Sequence, residues 1–139
     1  MKDVLLQGLD LSASERLALT QLLERLKRDH GRTILLVMLY GSIARDEREP
    51  DSDVDLLIIT RHDDWREHEP IRFLAARLSN EYDVFLSVRV MSLAHLNKLR
   101  NLQPLLYQNI CQDGIELLRI GDGPGLVKRQ PLPASSSGA

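Results

Sequence analysis

Asp53-Val54-Asp55 sets two carboxylates two residues apart at the start of an apolar run that continues to Ile59. Ten residues earlier a Gly41-Ser42 pair closes another apolar run, Ile34 to Tyr40. In an extended strand, residues two apart project from the same face, so Asp53 and Asp55 point together. Neighbouring carboxylates repel, and either one protonates or both share a cation. An oxygen-only pair suits a hard ion such as Mg²⁺, which takes one or two carboxylates and fills its shell with waters and substrate phosphates. Two ions about 4 Å apart call for one more carboxylate to activate an attacking oxygen. Asp83 is the candidate: it precedes the third β-prone run, Val84 to Val90, and is expected at the start of that strand. If the strands are neighbours, the three acidic groups converge on one sheet edge.

Gly41 lets the backbone approach a ligand closely. Ser42 adds a hydroxyl, and Ile43, Ala44 and Arg45 are expected to make a short helical turn whose free N–H groups attract an anion. Arg45 either adds positive charge for a phosphate or neutralises Glu49 and Asp51. Together these residues read as a metal–nucleotide site.

The pattern Gly41-Ser42, ten residues, then Asp53-x-Asp55 within Ser52-Asp53-Val54-Asp55-Leu56, with Asp83 on a later strand, resembles the nucleotidyltransferase superfamily typified by DNA polymerase β. It is most similar to the small minimal nucleotidyltransferases. The resemblance runs from about Ile34 to Val90, and more weakly to Leu118; it departs at Asp46, where the family commonly has glycine. It implies that Asp53 and Asp55 bind two Mg²⁺ ions and the triphosphate of ATP. Asp83 would complete the second metal site and help deprotonate the incoming hydroxyl. Gly41 and Ser42 would hold the β- and γ-phosphates. The implied reaction is attack of a hydroxyl on the α-phosphorus with loss of pyrophosphate.

The elements that must position these groups are legible. Ser12-Ala13-Ser14-Glu15 fits a capping box, and Leu19, Leu22, Leu23 and Leu26 give the helix after it one apolar stripe, ended at Asp29-His30-Gly31. Strands are predicted at about 34–40, 54–60 and 84–91. A helix is expected between Asp64 and Asn80, with Pro70 marking its start or a kink and Phe73, Leu74, Arg77 and Leu78 on its inner side. Ser92 caps a short helix, another spans about 103–112 with Leu102, Leu105, Leu106 and Ile110 on one side, and residues 115–120 form an edge strand. The expected fold is thus a small α/β (α+β) domain over residues 1–120, a mixed sheet flanked by helices. Residues 121–139, with four of the eight glycines and three of the six prolines, read as a disordered tail or a partner-binding extension.

Composition bounds the rest. The 139 residues are 43% hydrophobic and 27% charged, ordinary for a soluble domain. One cysteine, Cys111, allows no internal disulfide and fits a reducing cytoplasm. The amino terminus has no apolar stretch of signal-peptide kind, and no run of about 18 apolar residues offers a membrane span. Net charge is −2, with six acids against two arginines between Arg45 and Asp55, so a general nucleic-acid surface is not indicated. His30, His62, His68 and His95 read as surface or structural, Cys111 as a small buried hydrophobe, Tyr82 as a packed aromatic.

The resulting expectation is Mg²⁺-dependent adenylyl transfer from ATP. A minimal catalytic unit borrows its acceptor surface, and the resemblance implies a partner: a helical HEPN-type ribonuclease toxin, adenylylated on a tyrosine by this chain acting as antitoxin. A homodimer acting on a small molecule such as an aminoglycoside is the second reading. A non-catalytic, nucleotide-sensing antitoxin is the third.

Overall fold

A computed structural model describes residue 6 and residues 8–49 and 52–120. The expectation for the 121–139 tail lies outside them. Helix α1 (Ala13–His30) starts as its capping box dictates: Ser12 Oγ accepts from Glu15 N at 3.1 Å, and Glu15 Oε1 accepts from Ser12 N at 2.9 Å. Strands β1 (Ile34–Tyr40) and β2 (Val54–Thr60) have the bounds expected, because each is a continuous apolar run. Helix α2 (Trp65–Tyr82) follows, then β3 (Leu86–Ser92), α3 (Leu93–Leu102), α4 (Pro104–Asp113) and β4 (Ile115–Arg119). Ser92 caps α3 by accepting from His95 N at 3.1 Å.

The sheet order is β3-β2-β1-β4. β1 pairs antiparallel with β2 and β4, whereas β2 and β3 run parallel across the α2 crossover, so the sheet is mixed as expected. Helices cover both faces, which explains why β1 and β2 read as unbroken apolar runs. Val54, Leu56 and Ile58 alternate toward the cluster under α1 and α2, with Leu19, Leu22, Ile71 and Leu78. Leu57 and Ile59 face the opposite cluster, with Met38, Leu96, Leu99 and Ile110 under α3 and α4. Each fully buried Leu or Ile contributes about 2 kcal/mol relative to an exposed one.

Three packing expectations change. Phe73 is 67% exposed; the buried side of α2 is Ile71, Leu74, Ala75, Leu78 and His68. Leu102 and Leu105 are each 70% exposed, leaving Ile110 as the buried residue of α4. The helical path breaks at Gln103, φ −139° and ψ 71°, so the two ten-residue helices do not present one continuous stripe. Pro70 lies inside α2 rather than at its start. Its ring removes one N–H from the second turn, and tertiary packing of Ile71 and Leu74 outweighs that loss.

Candidate active site

Asp53 and Asp55 stand where β2 begins, on the side of the sheet that Leu57 and Ile59 share with α3 and α4. Asp53 is exposed and Asp55 half-buried. On the neighbouring strand Asp55 lies opposite Tyr40, so Gly41 comes directly beside it. Gly41 has φ +81°, and a Cβ placed on it would overlap Asp55 Oδ2 and come within 3.2 Å of Cγ. Glycine is therefore required twice, once by the left-handed backbone and once by the carboxylate against it.

After Gly41 the chain makes the expected tight turn. Arg45 N donates to Gly41 O at 3.1 Å, Asp46 N to Ile43 O at 3.1 Å and Glu47 N to Ser42 O at 2.8 Å. None of these bonds uses the N–H of Ser42. Ile43, only 2% exposed, pins the turn to the core. Asp46 has φ 59°. That left-handed conformation is what a glycine there would adopt, and aspartate tolerates it better than most residues, so the departure at Asp46 keeps the turn.

Burial pushes the Asp55 carboxyl above its ordinary pKa; the charge of Asp53 pushes the same way, and Arg45 opposes both. Such a pair releases its strain on binding a cation. Arg45 itself is engaged with Glu47 (3.1 Å) and approaches Asp113 (4.0 Å), rather than Glu49.

Arg48, which the sequence reading passed over, anchors the acidic loop. Its guanidinium forms a two-pronged bridge to Glu15, with Nη1–Oε1 at 2.6 Å, and also donates to the carbonyls of Asp10 and Ser52 at 2.9 Å each. One side chain thus ties the residue before Asp53 to the start of α1. The hydrogen bond from Arg48 holds the Glu15 carboxyl below its usual pKa. No local spacing announces a contact between residues 33 apart.

Asp83 is not at a strand start. It caps α2 in the left-handed conformation, φ 56° and ψ 51°, with Val84 N donating to Ser79 O, and β3 begins three residues later at Leu86. The β-prone run from Val84 reads as strand because helix caps of this kind carry no periodic signal. β3 is indeed the neighbour of β2, yet the residue opposite Asp55 in the parallel register is Ser87. Among the described residues no three His, Cys, Asp or Glu side chains gather closely enough to hold a metal ion. The Asp53–Asp55 pair and the Gly41–Ser42 turn come together; Asp83 does not join them.

The remaining candidates are structural or solvent-facing. His68 is 4% exposed and bonds Thr60 Oγ1 at 2.8 Å and the His62 carbonyl at 3.0 Å, which knits α2 to the end of β2. Tyr82 packs on the core as expected. Cys111 is half-buried rather than buried. No helix among the described residues is long and apolar enough to cross a membrane.

The family described as "Polymerase beta, Nucleotidyltransferase" matches residues 19–121. Among solved structures, the chain is similar to a toxin–antitoxin with AMP-PNP at 22% identity, covering 71% of this chain and 72% of that one, with a TM-score of 0.47. It is also similar to the toxin–antitoxin MntA-HepT at 20% identity, covering 75% and 72%, with a TM-score of 0.43. No curated protein matches it significantly.

Proposed function

The chain belongs to the polymerase β-type nucleotidyltransferase family, and from that premise we propose that it transfers a nucleotidyl group, AMP from ATP, to a hydroxyl acceptor with Mg²⁺. The observation that carries this reading is the carboxylate pair Asp53 and Asp55 at the start of β2, with Asp55 against Gly41 more closely than any residue with a Cβ would allow.

In this reading Asp53 and Asp55 hold the cation, which would neutralise the triphosphate and polarise the α-phosphorus. Gly41 and the N–H of Ser42 receive the outer phosphates, and Arg45 adds positive charge beside them by swinging from Glu47. The acceptor oxygen forms its bond to the α-phosphorus, the bond to the bridging oxygen breaks, pyrophosphate departs with that electron pair, and the acceptor's proton is released. Positioning and charge supply most of the catalysis in such transfers.

The acceptor we propose is a tyrosine of a partner protein, a HEPN-type ribonuclease toxin, with this chain as its antitoxin. Two things support it. The Gly-Ser…Asp-x-Asp signature resembles that of minimal nucleotidyltransferases that act this way. In addition, a phenol, with pKa about 10, needs less help from a base than a sugar hydroxyl, and among the described residues no third carboxylate is gathered beside the pair. The same observation favours the third reading, a nucleotide-binding antitoxin that neutralises its partner without transfer.

Labelled ATP, Mg²⁺ and the protein encoded beside this one would decide. Label on a partner tyrosine is the expected result. A stable complex carrying no label would overturn transfer in favour of the binding reading. Asp53→Asn with Asp55→Asn should abolish the label while circular dichroism remains unchanged; transfer surviving that double change would refute the site.

A further inference from the structure

Resting on the nucleotidyltransferase reading, we infer that this chain by itself holds one divalent cation with its nucleotide rather than two, and that Ser87 occupies the position from which a third carboxylate would complete a second site. The register carries it. Asp55 and Ser87 are Cα partners in the parallel β2–β3 pairing, about 4.8 Å apart, and paired residues project from the same face. The packing confirms the parity: Val54 with Leu86 and Ile58 with Val90 meet the α1–α2 cluster, while Ile59 with Met91 meets the α3–α4 cluster. Ser87 is exposed beside the pair, with nothing of the core in its way. Its hydroxyl is a neutral and weak ligand for a hard cation, which prefers carboxylate.

Asp83 does not make up the deficit. It is held as the left-handed cap of α2 by the Asp83 and Val84 N–H groups, both bonded to Ser79 O, and Ser79 Oγ in turn receives Leu86 N at 3.1 Å. Bringing its carboxylate to Asp53 and Asp55 would require this turn to open. Two carboxylates carry one ion when phosphates complete its shell; a two-ion clamp needs more negative charge than the described residues gather here.

The test counts Mn²⁺ bound per chain by electron paramagnetic resonance, with a non-hydrolysable ATP analogue present. The wild type should bind one ion, Asp83→Asn should also bind one, and Ser87→Asp should bind two. Ser87→Asn separates charge from size and should remain at one. Two ions in the wild type, with one lost in Asp83→Asn, would overturn the inference and restore Asp83 as a ligand, leaving the nucleotidyltransferase reading intact. A Ser87→Asp protein that is folded by circular dichroism yet still binds one ion would also overturn it. Absence of any nucleotide-dependent Mn²⁺ uptake by the wild type would instead refute the nucleotidyltransferase site itself.

Discussion

Asp55 is a carboxylate kept in an unfavourable place. Burial and the neighbouring Asp53 both disfavour its charge, so its pKa is raised. In the cation-free protein this costs stability above the ordinary aspartate range, and the cost disappears as the pH falls and the group protonates. Asp55→Asn should therefore raise the stability of the cation-free fold by about 1 kcal/mol, read in urea unfolding, while removing Mn²⁺ uptake. A less stable Asn variant would contradict this account of the site. Cation binding needs the ionised form, so wild-type affinity should decline on acidification sooner than for a solvated aspartate, as a pH series of metal titrations would show. Gly41→Ala forces a side chain into φ +81° and against the Asp55 carboxylate. It should cost about 1–3 kcal/mol and remove nucleotide binding with it; retained affinity for MgATP would deny the turn its role.

At the scale of elements, the acidic loop between β1 and β2 carries too much like charge to hold itself, and α1 restrains it. Arg48 and Glu15 are 13% and 11% exposed at their side chains, so their bridge is stronger than a surface pair and weaker than one fully enclosed. Arg48→Ala should destabilise the fold by about 2–3 kcal/mol and loosen Ser52 ahead of Asp53, raising KM for MgATP more than a surface Arg→Ala such as Arg72→Ala does. Because the Glu15 pKa is lowered, the bridge's contribution is complete above the unfolded carboxylate range and is lost as the pH falls through the folded value. The acid limb of a stability–pH curve should accordingly flatten in Glu15→Gln. An unchanged limb would show that other carboxylates govern acid unfolding. The α2–β2 junction offers a comparison far from the site: His68→Ala removes the buried hydrogen bond between His68 and Thr60 Oγ1 and should cost about 1–3 kcal/mol with MgATP affinity unaffected.

The described residues form a four-stranded mixed sheet covered by helices on both faces, with the charged pair at the edge of the sheet where β2 begins. Anything that binds this edge and not the unfolded chain must stabilise the fold by mass action. A nucleotide at a hundred times its Kd with Mg²⁺ present should add about 2.7 kcal/mol, visible as a rise in Tm that vanishes in the Asp53→Asn, Asp55→Asn double variant. Much of this was readable from the chain alone. Both apolar runs Ile34–Tyr40 and Val54–Ile59, the Ser12–Glu15 capping box and the pairing of Asp53 with Asp55 on one face follow from local rules, spacings of two and three residues that any segment obeys without knowing its neighbours. Those rules end where residues distant in sequence meet. That Ser87 and not Asp83 faces Asp55, that Arg48 reaches back to Glu15, and that Phe73 and Leu105 turn outward are decided by strand register, by a left-handed cap and by packing beyond the local segment, such as the break between two short helices at Gln103. Each is a choice among locally equivalent conformations, and only the packed core, through the burial of Leu57, Ile59, Met91 and their partners, makes one of them lowest in free energy.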